Sequence, residues 1–206
     1  FLQEKFPGLQ AMFIMGCGGD ANPYPREGME NTRKHGAELA GEVTRVLAAK
    51  LRPIAGPLVL SFGTVDLPLQ THTKESLKPL AETSSGVQAD SARKMLATLE
   101  RGEKLPVHCP APVAVWQFGR DLTLVALPSE VVVDYVQLIE KRIGPLNLWV
   151  AAYCNEGFGY VPSARVISEG GYETRGLISG DGWCAPPAQD SLGAKVAELA
   201  TKVGRP

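Results

Sequence analysis

The apolar positions of the chain follow two rhythms. From Leu9 to Met15 they run almost unbroken up to a glycine-rich turn, the pattern of a short buried strand. From Met29 to Leu51 they recur near helical spacing, at Ala37, Leu39, Ala40, Val43, Val46, Leu47 and Leu51, with Glu and Arg between them, which predicts the clearest helix. Pro57 to Leu69, PLVLSFGTVDLPL, predicts one long strand, or two broken near Gly63. Its alternation through Thr64, Val65, Asp66 and Leu67 suits a half-exposed strand. Lys74 to Arg101 predicts two polar helices separated at Ser84-Ser85-Gly86, with Ser85 as a cap. Val113 to Phe118 and Leu122 to Leu127 predict a hairpin through Gly119-Arg120-Asp121. Pro128-Ser129-Glu130 then opens a helix that runs through Ile143 and stops at Gly144-Pro145. Leu148 to Tyr153 predicts another buried strand, Tyr160 to Trp183 a glycine-rich loop, and Gln189 to Val203 a closing helix.

Strands alternating with helices predict an α/β fold, in which mixed β-sheet layers are covered by helices. The hairpin makes the sheet mixed rather than parallel. No internal repeat, low-complexity tract or linker divides the chain, so residues 1–206 are expected to form one domain. FLQEKFPG reads as the last turns of a helix closed by Pro7-Gly8, and the chain begins at Phe1 rather than Met. The expectation is that upstream sequence belongs to the same domain.

Composition narrows the classes. At 206 residues, with 44% hydrophobic and 21% charged residues, the chain can bury a substantial core without staples. A net charge of -1 gives no reason to expect nucleic acid or an anionic membrane as a partner. No apolar run approaches the roughly 20 residues of a spanning helix, so no transmembrane segment is expected. Cys17, Cys109, Cys154 and Cys184 form no C-x-x-C pair and have no His at zinc-finger spacing. They read as buried thiols, with one or two disulfides as the alternative in an exported protein.

Three stretches share one design, an apolar strand running out into a polar, glycine-rich turn: FIMGCGGDANP, VALPSEVVVDY and VAAYCNEGFGY. Strand ends are where α/β folds gather functional groups. Were these three ends to share an edge, Asp20, Asn22, Glu130, Asn155, Glu156 and Tyr160 would converge there. Glu130 has two readings. It is a first-turn carboxylate favoured by the helix dipole beside Ser129, or it is a metal-binding carboxylate that needs partners. Tyr160 and Tyr172 either cover the core or line a site. Asp20 reads most simply as an Asx turn holding its loop. His35, His72 and His108 have no ligand spacing and read as surface or packing residues.

Taken together, the three stretches resemble the neutral/alkaline (non-lysosomal) ceramidase family, and bacterial ceramidase-like relatives of undefined substrate in particular. GCGGDANPYP, LTLVALPSEVVVDY and YCNEGFGYVPSARVISEGGYE follow the family's order across residues 9–173. The resemblance implies a large α/β catalytic domain and a zinc amidase that cleaves the N-acyl bond of ceramide. It implies a zinc held by two histidines, a glutamate and a tyrosine. The glutamate falls on Glu130, the tyrosine on Tyr160, and a second active-site tyrosine on Tyr172. The family's zinc histidines lie N-terminal to the glycine-rich loop, where none of the three histidines here falls. The chain therefore resembles the later part of that domain and carries two of four ligands, which alone would not hold zinc tightly.

The family places an essential serine in G-D-x-S-P, whereas this chain reads Gly19-Asp20-Ala21-Asn22-Pro23. An amide has no ionisable hydroxyl and cannot replace a serine nucleophile. It can donate to a developing oxyanion. The implied catalytic set is then Asn22, Tyr172 and Asp20, with zinc-activated water as nucleophile. Gly18, Gly19 and Asn155 would bind a small-molecule or lipid N-acyl substrate. A secreted or cell-surface location is implied by the resemblance alone. The other readings are a non-catalytic protein that keeps the fold, or a fragment inactive without the upstream histidines.

Overall fold

The computed structural model describes residues 1–205. The chain opens with a single helical turn, α1 (Leu2–Lys5), and the glycine-rich loop leads into α2 (Gly28–Leu47). Strand β1 (Leu58–Pro68) is followed by the helix pair α3 (Lys74–Thr83) and α4 (Gly86–Glu100). Then come β2 (His108–Phe118), β3 (Leu122–Ala126), the two-residue strand β4 (Glu130–Val131), α5 (Asp134–Ile143) and β5 (Leu148–Ala151). The C-terminal part holds β6 (Tyr160–Val161), α6 (Ala164–Glu169), a 3₁₀ turn at Tyr172–Thr174 and α7 (Ala188–Lys202).

Four strands form one mixed sheet in the order β1-β2-β3-β5. The first two pairings are antiparallel and β3 pairs with β5 in parallel. The fold class is therefore the expected α/β one, with a mixed sheet and helices.

One face of the sheet makes the core. Val115, Val125 and Val150 stand side by side across three strands. They are buried with Tyr135 and Ile139 of α5 and with Leu192, Val196 and Leu199 of α7. Each such side chain contributes roughly 1.5–3 kcal/mol by leaving water. The alternate row, Leu60, Trp116, Leu124 and Trp149, is also in register and points the other way. Leu60 is 51% and Trp149 46% exposed, so the sheet is helix-covered on one side only among the described residues. The α3–α4 pair builds its own small core of Leu77, Ala81, Ala92 and Met95 around Trp183.

Several expected elements differ. Leu9 to Met15 forms no strand, and Met12 and Phe13 are 87% and 69% exposed. The segment passes the open β5 edge, where the Ala152 N–H donates to the Met15 carbonyl at 3.1 Å. It has no partner on its other side among the described residues, so its apolar pattern goes unburied. The long helix stops at Leu47, four residues before Leu51, and buries none of its residues. β1 continues unbroken through Gly63. Ser85 occupies the N-cap position of α4 without a side-chain cap bond, whereas Thr73 and Ser76 build a capping box on α3. The stretch from Tyr160 to Trp183 holds β6, α6 and the 3₁₀ turn rather than loop alone. Cys17, Cys109 and Cys184 are buried, Cys154 is half-buried, and all four are free thiols.

Candidate functional site

Parallel pairing explains why two of the three polar turns meet. β3 and β5 run the same way, so both carboxyl ends arrive at one edge. Beyond that edge the turns interlock. The Leu127 N–H donates to Ala151 O at 2.8 Å, Tyr153 N–H to Ser129 O at 2.9 Å, and Cys154 N–H to Leu127 O at 3.0 Å. The glycine-rich loop joins through Gly19, whose N–H donates to Val131 O at 3.0 Å.

Ser129 fixes the centre. It is 1% exposed and adopts φ 63°, a left-handed conformation uncommon for a residue with a side chain. Its hydroxyl accepts the N–H groups of Phe158 at 3.0 Å and Gly159 at 2.9 Å and donates to the Gly159 carbonyl. These bonds hold the P-S-E turn against the strand that begins at Tyr160, so Glu130 pairs with Tyr160 across the parallel β4–β6 ladder. This corrects the expectation that Glu130 sits in the first turn of a helix. Once committed to β4, Glu130 lies four residues before Asp134, where α5 starts. Asp20 serves that helix instead. Its Oδ1 accepts the Val133 N–H at 2.7 Å, the N-cap position of α5. The Asp20 bond therefore spans 113 residues rather than closing a local Asx turn.

Three tyrosines surround Glu130. Tyr160 is its ladder partner. Tyr153 donates its hydroxyl to Glu130 Oε2 across a long 3.5 Å. Tyr172 packs edge-on against Tyr160, with ring centroids 5.6 Å apart. The Arg175 guanidinium lies 5.1 Å over the Tyr172 ring. Burial, and then the Glu130 carboxylate facing it, push the Tyr160 phenol up to about 12. The same two causes raise Tyr153. Both phenols keep their protons at neutral pH, and Tyr153 donates to the acceptor carboxylate.

The cluster lines an open cleft of about 850 Å³, which Gly18, Gly19 and Asn22 also line. Of the expected site residues, Gly18, Gly19, Asn22, Glu130, Tyr160 and Tyr172 share this cleft. Asp20 and Asn155 are not in its lining; Asp20 is engaged behind the loop, and Asn155 lies exposed at φ 66°. Tyr153, Arg26 and Glu173 also line the cleft and were not singled out from the sequence. Tyr153 was legible in principle, because it directly continues the β5 strand into the polar turn.

The pair Glu130–Tyr160 offers the cleft one carboxylate and one phenol oxygen as potential metal ligands. It does not suffice alone, since zinc sites take three or four protein ligands. Among the described residues no group of three His, Cys, Asp or Glu side chains could hold a metal. His72 packs edge-on to Trp183 at 4.6 Å, and His35 bonds Pro25 O at 2.7 Å.

No family model matches the chain. No curated protein matches it by sequence. Among solved structures, the neutral ceramidase from Pseudomonas aeruginosa superposes on 90% of this chain with a TM-score of 0.51 at 18% identity. The chain spans 35% of that protein's length. The likeness shows a ceramidase-like fold.

Proposed function

We propose that the cleft is part of the active site of a zinc-dependent hydrolase of N-acyl (amide) bonds, with the remaining metal ligands contributed from outside this chain. The observation that carries this reading is the Glu130–Tyr160 ladder pair, which sets a carboxylate and a phenol side by side in the cleft that Asn22 and Tyr172 also line. Bound there, zinc would supply Lewis acidity and lower the pKa of water at the site.

The roles of the chain's own residues follow from their chemistry. Tyr153 donates to Glu130 and orients it. Asn22 and Tyr172 present N–H and O–H donors to a substrate carbonyl, and one preorganised oxyanion donor is worth about 3–4 kcal/mol. Gly18 lets the substrate approach the backbone, whereas Gly19 lets the loop itself seat against β4. No hydroxyl occupies the Asn22 position, so no acyl-enzyme forms there.

The test is hydrolysis of N-acyl amines by the full-length protein, with zinc content measured in parallel. Glu130→Ala is expected to lower both turnover and bound zinc. Equal turnover by both proteins would remove Glu130 from the mechanism. A second reading, a non-catalytic protein that keeps the fold, is favoured by the asparagine in place of a serine. It predicts that the full-length protein holds no metal.

A further inference from the structure

The wall formed by Glu130, Tyr160 and Tyr172 has a second side. Behind it lies a separate pocket of about 300 Å³, closed by Val87, Leu177 and Ile178. That volume is at the small end of small-molecule sites, which run from about 300 to 1,000 Å³. Three features of this pocket point to a ligand.

The first is its apolar surface. Val87 is 48% and Ile178 74% exposed, although both face a concavity rather than a convex surface. Leu177 forms the buried base at 5%. An apolar chain laid between them would remove that surface from water, at roughly 25 cal/mol per Å².

The second is that the wall is preformed. Leu177 N–H donates to Gly182 O at 2.9 Å, Ile178 N–H to Phe158 O at 3.0 Å, and Gly180 N–H to Leu177 O at 2.8 Å. The Lys94 ammonium donates to the Ser179 carbonyl and ties the same loop to α4. At Gly176 an added Cβ would stand 2.3 Å from the Trp183 ring, so the loop sits hard against the small core beneath it.

The third is charge. Arg175 lines this pocket, and its Cζ sits over the Tyr172 ring, 5.1 Å from the centroid. Among the described residues no carboxylate pairs with it, although it borders an apolar concavity. The cation–π contact with Tyr172 places the guanidinium, and among the described residues no hydrogen bond occupies its donors. A planar fork with free edge donors matches a carboxylate, with two parallel N–H···O bonds.

We infer that this pocket is a subsite for an apolar chain of medium length that ends in a carboxylate, with Arg175 as the residue that selects the charge. The subsite rests on the hydrolytic reading for its role. It would make the preferred substrate an amide bearing an acidic chain, held with its acid at Arg175 and its amide at the Glu130 side of the wall. Glu130 and Arg175 both line the pocket, and their opposite charges set the polarity of that alignment.

The test is a binding measurement that needs no turnover. Octanoate and octanamide are titrated into the protein by calorimetry or by NMR of the backbone amides near Leu177. Octanoate is expected to bind about fivefold tighter than its neutral isostere, as fits a partly exposed ion pair. Arg175→Gln is expected to abolish that preference and leave octanamide binding unchanged, and Arg175→Lys to keep part of it. Arg175 is exposed and its side chain anchors no other element, so these variants fold. Equal binding of the two ligands, a preference that survives Arg175→Gln, or binding of neither ligand would each overturn the inference. Failure of the hydrolytic reading is distinguishable, because it would leave the octanoate preference intact while N-acyl turnover is absent.

Discussion

Two adjacent glycines make a sharp test of how the loop seats on the site. An added Cβ at Gly19 would lie 2.7 Å from the Glu130 carbonyl oxygen and 3.0 Å from both the carbonyl carbon and oxygen of Val131. These are backbone atoms of a strand pinned by its ladder and by Ser129, so they cannot swing aside as a flexible side chain would. In Gly19→Ala the loop must instead retreat and stretch its 3.0 Å bond to Val131 O. Overpacking of this kind costs about 1–3 kcal/mol, and a weakened hydrogen bond about 0.5–1.5 kcal/mol more. Alanine gives back about 0.4–1 kcal/mol by restricting the unfolded chain. The middle of each range gives an expected net loss of about 2 kcal/mol. At about 2–4 °C per kcal/mol for a chain of this size, the melting temperature should fall by about 4–8 °C.

Gly18→Ala is the control. Its Cβ would meet Met15 Sδ at 3.6 Å, Gly16 O at 3.8 Å and the Tyr153 hydroxyl at 3.9 Å, all ordinary contacts. Stability should match the parent or exceed it by up to about 1 kcal/mol, because restriction of the unfolded chain meets no clash here. Urea denaturation at constant m-value reads both variants. A Gly19→Ala midpoint equal to the parent, or an equal loss in Gly18→Ala, would refute the close approach of this loop to β4.

Other measurements probe the supports of the site. Ser129→Ala leaves the Phe158 and Gly159 N–H groups without their acceptor, at about 1–3 kcal/mol for each buried group left unmet. The expected result is a lower urea midpoint, with faster amide exchange at Gly159. The Asp134 carboxyl is held below its ordinary range mainly by the Arg165 guanidinium, against burial, which raises it by more than the Ser163 hydroxyl lowers it. A depressed folded value means that the stabilisation is complete above the unfolded value of about 3.9 and is lost as pH falls through the folded one. Asp134→Asn should therefore cost up to about 1 kcal/mol at pH 7 and less at pH 2, read by denaturation at both pH values. Burial is the main cause that pushes the Cys17 and Cys184 thiols up to about 12 and Cys109 up to about 11. Iodoacetamide at pH 8 should alkylate the half-buried Cys154 first and all four thiols only in urea, as read by intact mass.

Burial patterns were legible wherever a segment's partner lies within the chain. Val113, Val115 and Val125 announced a hairpin, and the hairpin is there with Val115 facing Val125. α7 ends within one residue of its expected end because its Leu192, Val196 and Leu199 meet that sheet. The apolar run at 9–15 and the stripe of α2 were equally regular and yet stay open. A periodic pattern measures the capacity of a segment to be buried. Whether it is buried depends on a surface to receive it, and periodicity carries no information about that surface.

The site shows a different limit. That three polar turns meet could be argued from strand ends alone, and six of the eight expected residues do share one cleft. The local state of Glu130 could not. Pro-Ser-Glu before an apolar run is a sound helix start by local rules. What overrides it is a hydroxyl reaching 29 residues along the chain to the Phe158 N–H, which costs the turn a left-handed Ser129. The consequence is chemical as well as geometric. In a helix, Glu130 would spend its charge on free backbone N–H groups of the first turn. In β4 its carboxylate faces Tyr153 and Tyr160 at the edge of an open cleft, and the capping work passes to Asp20. One buried serine thus separates the carboxylate that stabilises the helix from the carboxylate that faces the cleft.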